Sequence, residues 1–341
     1  MPTNERPGIY SDYQVTSAVT GSAGGGVVGL AALASSGTVG EVVRLRSYAE
    51  AAAVFGADST MAKLAGLVLL NGAAEVHAVR VQSNVTSAYT AAFTALLADT
   101  QVRYMICDSR SAAVYAAMKS SILYAPEHSK YRIGIVEGSG TVSEMVSTAS
   151  VLNCERMVLC TPGTGDAGEI AAAIAGTLSG SSDPALPLGG AVLKGVTNAP
   201  APWSDTDVNT LVRGGVTPVE NVAGEVAVVR GITTRTTTAG EADATWRELT
   251  TVLVVDDVIP TVRAALRSRF ARSKNTAQTR GAIRTQVVIE LENKLSREII
   301  DSYDSVTAVP SEEDPTVCVV SFAFTVAHGL NQIHLTASIT V

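Results

Sequence analysis

The chain has 341 residues, 46% hydrophobic and 17% charged, with 25 Lys and Arg against 32 Asp and Glu for a formal charge of −7. That length exceeds what one core usually serves, so two domains are expected. The acid excess argues against a general nucleic-acid binder, and the low charge content points to surface buried in an assembly.

Four cysteines, Cys107, Cys154, Cys160 and Cys318, form no disulfide framework and suit a reducing cytosol. The first residues lack a signal-peptide plan, and no apolar run reaches a membrane span. Synthesis and folding in the cytoplasm, away from membranes, are therefore expected.

In chain order, residues 1–20 read as an arm. Arg6-Pro7-Gly8 introduces an extended stretch with Ile9, Ser11, Tyr13 and Val15 on one face. After a glycine-rich stretch, strands are expected at 27–34 and 42–46. Ser47 caps a helix ending near Phe55-Gly56, and a second helix at 60–70 is stopped by Asn71-Gly72. Short buried strands at 76–81, 103–107, 132–136 and 156–160 then alternate with helical windows at 87–97, 111–124, 142–152 and 167–178. That alternation implies an α/β fold whose mostly parallel sheet carries helices on its flanks.

Residues 180–203, with Pro184, Pro187, Pro200, Pro202 and Gly189-Gly190, break the rhythm as a linker. A short helix is expected at 205–213. The remainder reads as α+β: strands at 225–234 and 246–254, a helix from Pro260 to about Arg272, and another from 276 to 293 that could run on to Ser302. Strands at 317–325 and 332–341 finish the chain. The expected division is an N-terminal arm at 1–20, an α/β domain at 21–222, an α+β domain at 223–330 and a C-terminal arm at 331–341.

The last eleven residues alternate strictly. Ile333, Leu335, Ala337, Ile339 and Val341 share one face, while His334, Thr336, Ser338 and Thr340 share the other. Burying those five apolar side chains contributes about 8–15 kcal/mol, against about 11–22 kcal/mol for ordering eleven residues of backbone. The segment needs a preformed sheet edge that also supplies ladder hydrogen bonds.

Two Gly-x-Gly-x-x-Gly matches occur. Gly24, Gly26 and Gly29 precede the first strand, whereas a dinucleotide fingerprint follows one, so they read as a hinge. Gly163, Gly165 and Gly168 lie between a strand and a helix and could cradle a phosphate. The acid that should follow is poorly matched by Asp183, and a tight strand-to-helix turn is favoured. An α/β enzyme or nucleotide-binding protein using that turn is the alternative reading.

There is no Walker motif and no nucleophile elbow. His77, His128, His328 and His334 lack metal-site spacing and read as structural or surface residues, and Cys154 and Cys160 as core thiols. Asp256-Asp257 reads as the acidic start of the Pro260 helix. No catalytic residue, cofactor or metal is expected. Between Val258 and Ile289 there is no acid, yet Arg263, Arg267, Arg269, Arg272, Lys274, Arg280 and Arg284 all occur. That stripe is either a solvated helix face or a docking surface for an acidic partner. Nucleic acid fits less well, because no aromatic residues interleave.

The motifs in order, Glu5-Arg6-Pro7-Gly8-Ile9-Tyr10, Phe55-Gly56, Asn71-Gly72, Val79-Arg80-Val81, 211–218, Val228-Val229-Arg230-Gly231-Ile232-Thr233-Thr234 and Val254-Val255-Asp256-Asp257-Val258, resemble those of contractile phage tail sheath proteins. The resemblance implies hexameric rings stacked helically around an inner tail tube, with baseplate and tail terminator proteins as further partners. It implies a particle component assembled in the bacterial host cytoplasm, in a virion or phage-tail-like particle, working without nucleotide. It places the α/β domain outside and the α+β domain against the tube. Ile9, Tyr10, Tyr13, Val15, Ile333, Leu335, Ala337, Ile339 and Val341 would link subunits by strand addition, and the basic stripe would face the tube or a neighbour. A non-contractile tail subunit is a further alternative.

Overall fold

The computed structural model describes residues 26–124, 131–196 and 202–330. Short aliphatic runs form its centre: β1 (Val27–Leu33), β2 (Val42–Leu45), then, beyond helices α1 (Tyr48–Phe55) and α2 (Thr60–Leu70), β3 (Val76–Val81). There follow α3 (Thr86–Ala98), β4 (Val102–Cys107), α4 (Ala112–Leu123), β5 (Ile133–Glu137), α5 (Val142–Leu152), β6 (Met157–Cys160), α6 (Glu169–Gly180), α7 (Asp205–Arg213) and β7 (Val216–Thr217). These strands make one seven-stranded sheet in the order β2-β3-β1-β4-β5-β6-β7, parallel except for edge strand β2.

Both faces of the sheet are covered, which is why its strands read as continuous apolar runs. Val28, Leu30 and Ala32 of β1 point into one core with α1, α2 and α6. Ala31 points into the other, with α3, α4 and α5. The helix ends follow local rules. Ser47 and Ser59 cap α1 and α2 by accepting from Glu50 N and Ala62 N, and Thr141 with Glu144 forms a capping box on α5.

Beyond the sheet come hairpins β8 (Val219–Val222) with β9 (Glu225–Val228), and β10 (Thr237–Thr238) with β11 (Glu241–Ala242). Helices α8 (Leu249–Phe270) and α9 (Ala277–Leu295) follow, then the ribbon β12 (Ile300–Pro310) with β13 (Cys318–Val326). Several expectations are corrected here. The strand expected at 225–234 stops at Val228, where β9 forms a hairpin with β8. The strand expected at 246–254 is the first part of α8, and the helix expected to start at Pro260 carries that proline in its interior. The helical continuation to Ser302 is instead the start of β12.

The reason lies in burial. Leu249, Val252 and Leu253 pack in the core beneath the sheet, while Val254, Val258 and Val262 pack with α9 and the ribbon. A helix buried on several sides loses the one-sided period that marks a helix in sequence. Pro260 has no N–H to donate to the Asp256 carbonyl four residues back, which removes one rung of the helix.

Asp256 and Asp257 therefore stand mid-helix, not at a helix start. The Asp256 side chain is buried against Arg156, which leads into β6, and Asp257 pairs with Lys294 of α9. Successive residues on a helix point about 100° apart, so this doublet joins α8 to both bodies. Asp256→Ala strands Arg156 at a buried seam and should cost about 3–5 kcal/mol. Asp257→Ala removes a carboxylate that is itself partly exposed, but it leaves the buried Lys294 ammonium without it, and should cost less, about 1–3 kcal/mol. Thermal unfolding of the two variants checks the ranking.

Candidate functional site

In an open α/β sheet, ligands bind where strand order reverses, outside the carboxyl ends of the strands. Here that crevice opens between β1 and β4, and the chain closes it from within. Asp108, just past β4, accepts from Leu33 N at 2.8 Å and from the Tyr89 hydroxyl at 2.6 Å. Next to it, Arg110 donates to Glu137 Oε2 at 2.8 and 3.1 Å and to the carbonyls of Gly163 and Gly165 at 3.1 and 3.3 Å.

Glu137, 1% exposed, turns Oε1 to Ile170 N at 2.6 Å, at the start of α6. The helix N-terminus that could receive a phosphate thus already holds a carboxylate, and the glycine carbonyls beside it hold a guanidinium. Gly168 caps α6 at φ +94°, where a Cβ would lie 2.8 Å from the Cys107 carbonyl. The 163–168 turn is a structural strand-to-helix turn, as the favoured sequence reading has it.

Burial pushes the carboxyl groups of Glu137 and Asp108 up, against the opposing pull of their hydrogen bonds. Burial also raises the Cys107 thiol to about 12 and raises those of Cys154 and Cys160, which are core thiols. His77 is fully buried, with Nε2 2.9 Å from Glu75 and Nδ1 2.7 Å from Asp99. His328 is exposed in a surface cavity, and His128 and His334 lie outside the described residues.

Several residues that carry the family resemblance anchor loops. Asn71 clamps residue 194 through both Lys194 N and Lys194 O. Arg80 holds the turn after β1 at Ala34 O and Gly37 O. The Thr217 hydroxyl both accepts from Ile232 N and donates to Ile232 O.

The two arms, with Ile9, Tyr10, Tyr13, Val15, Ile333, Leu335, Ala337, Ile339 and Val341, lie outside the described residues. The basic stripe lies within them, gathered towards the connected ends of α8 and α9. Its members differ in their contacts, and all but Arg280 are exposed. Arg269 bonds Gln286 across the helix pair, Arg280 is half-buried on Asn275, and Arg263 lies 5.9 Å from the Tyr131 ring centroid. Arg267, Arg272, Lys274 and Arg284 are exposed, and no ion pair is made by any of the four among the described residues.

Asn275 also donates to Pro315 O at 2.8 Å and Val317 O at 3.1 Å, tying the β12–β13 turn to this end. That turn carries Glu312, Glu313 and Asp314, so the tip bears both signs of charge, which the stripe alone did not foretell. The ribbon itself was half missed. Its β13 alternates cleanly, turning Val320, Phe322, Phe324 and Val326 onto Val254, Val258 and Leu291. In β12 a register shift near Ser305, at φ +55°, breaks the alternation. Among the described residues neither outer edge of this two-stranded sheet is paired.

Residues 83–234 match the phage tail sheath protein central domain, and residues 241–340 match the phage tail sheath C-terminal domain. Together these define the class as a tail sheath subunit. The chain belongs to the phage tail sheath family, whose members are structural subunits of contractile tails.

No curated protein matches the chain, but solved structures share its fold. The helical sheath of the anti-feeding prophage in its contracted state is similar at a TM-score of 0.75 and 13% identity, covering 98% of this chain and 99% of that one. A sheath tail protein from Desulfitobacterium hafniense gives 0.70 at 10% identity, covering 94% and 100%. One from Listeria innocua gives 0.72 at 11%, covering 90% and 93%.

The raised carboxyl groups set a sign for pH dependence. Between the unfolded value, about 3.9 for Asp, and its raised folded value, Asp108 binds more protons in the native state. Its contribution is present below the unfolded value and is lost as pH rises through the folded one. Asp108→Asn, which imitates the protonated form, should gain stability relative to the parent at pH 7 but not at pH 3.5. Paired thermal melts at the two pH values test this.

Proposed function

We propose that this sheath subunit polymerises as stacked hexameric rings around an inner tail tube and contracts to drive that tube through a target envelope. The observation that carries the proposal is the β12–β13 ribbon. An isolated two-stranded sheet is marginal in water, and among the described residues this one offers two unpaired edges over an anchored apolar face. Two strand-patterned arms on the same chain, 1–20 and 331–341, are the complement. A neighbour's arm on each edge would make a four-stranded sheet by strand addition.

In this reading the α/β domain lies outside and the α8–α9 hairpin with its ribbon lies inside. Arg267, Arg272, Lys274 and Arg284 meet acidic groups of the tube or an adjoining subunit. The particle is a virion tail or a phage-tail-like machine assembled in the bacterial cytoplasm, with baseplate and terminator proteins at its ends. The subunit works as a structural element and not as an enzyme, with no nucleotide, nucleic-acid or membrane partner. Among the described residues no helix is long and apolar enough to cross a membrane.

Negative-stain microscopy of the purified chain should reveal rings or tubes, and a monodisperse monomer at high concentration would overturn the proposal. Removing residues 331–341 should leave a folded protein with an unchanged melt that no longer polymerises. The double substitution Arg267→Glu with Arg284→Glu should weaken growth on the tube by about tenfold or more at low salt, with the loss shrinking as salt screens the contact. Sedimentation of sheath with tube across a salt series reads this out.

A further inference from the structure

The turn end of the β12–β13 ribbon carries apolar surface beside its acids. Val309 and Val319 stand opposite one another across the two strands, and Val317 lies where the turn enters β13. All three are between 43% and 49% exposed. A single exposed valine is ordinary, but three at one end of one small sheet make a patch. Glu312 and Glu313, both exposed, lie in the turn between Val309 and Val317.

Asn275 holds the α8–α9 connection against this same turn, which brings Arg272 and Lys274 to the tip. Asp314 is engaged by its own turn, accepting from Thr316 N at 2.7 Å and from the Thr316 hydroxyl at 2.6 Å. The other charges are not engaged. No ion pair or side-chain hydrogen bond is made by Arg272, Lys274, Glu312 or Glu313 among the described residues. One tip thus presents two patches of opposite sign that leave each other unmatched.

A surface of this kind complements a second copy of itself. Long cationic side chains fit the acidic patch, because their stems cover apolar surface while their heads stay at its rim. Exposed ion pairs contribute little singly, so covering the valines would supply attraction and the charges would set orientation.

We propose that Arg272 and Lys274 of one subunit lie across Val309, Val317 and Val319 of the next copy, with their charges on its Glu312 and Glu313. The two patches differ, so the contact runs head to tail, the arrangement that closes into a ring when the rotation permits. It is a lateral contact within the rings proposed above, on which it rests, and it leaves Arg267 and Arg284 for the tube.

Two charge-reversed full-length chains test it. Glu312→Lys with Glu313→Lys makes both patches positive, and Arg272→Glu with Lys274→Glu makes both negative. At low salt each chain alone should self-associate at least about tenfold less than the parent in sedimentation velocity, with an unchanged melt. An equimolar mixture should recover the parent's association, because the two chains can alternate around a hexameric ring. Either reversed chain associating as the parent does overturns the proposal, and so does a mixture no better than its components. A mixture that stops at dimers overturns the head-to-tail arrangement. Growth of the mixture beyond dimers in a protein that forms no rings would count against the sheath reading alone. Rings and tubes indifferent to both reversals would count against the tip contact alone.

Discussion

Two adjacent carboxylates on one helix set how the two bodies of this molecule meet. Asp256 faces the sheet and Asp257 faces α9, so α8 belongs to two bodies at once. Such a buried pair adds little net stability compared with an apolar substitute, but losing one partner leaves an uncompensated charge. The arrangement fixes which surfaces meet more than how strongly they meet. The apolar contacts divide at the same place, with Leu253 in the core beneath the sheet and Val254 in the core beneath the ribbon.

The sheet follows a plan that elsewhere serves ligand binding, but its crevice is filled by its own side chains. Asp108, Arg110 and Glu137 satisfy one another, the ends of β1 and β4, and the start of α6. A scaffold with its recess sealed in this way is suited to bearing load. At the other body the ribbon's edges are unpaired among the described residues, and the mixed-charge tip of the helical hairpin is exposed.

Much of this was legible in sequence. Residues 76–81, 132–136 and 156–160 read as buried strands because both faces of the sheet are covered, and Ser47 read as a cap because its hydroxyl has a local target. Residues 246–254 misread as a strand because a helix buried on several sides shows Val-rich continuity without amphipathic period. The first ribbon strand was lost at its irregularity near Ser305. The stripe of cations was visible, but not that Arg269 and Arg280 are used internally or that Asn275 brings Glu312, Glu313 and Asp314 to the same tip. The Arg269 and Asn275 contacts join residues 17 and 40 positions apart, and no local pattern announces them.

The ribbon's geometry also decides how it can be pulled. Ladder hydrogen bonds lie perpendicular to the strands. A strand laid along either edge and loaded lengthwise would strain the whole ladder together and resist as a unit. Loaded sideways, the same ladder opens one bond after another from its end. With β12 and β13 anchored on α8 and α9, the direction of force relative to those helices sets whether the joint is a strong shear connection or a weak zipper.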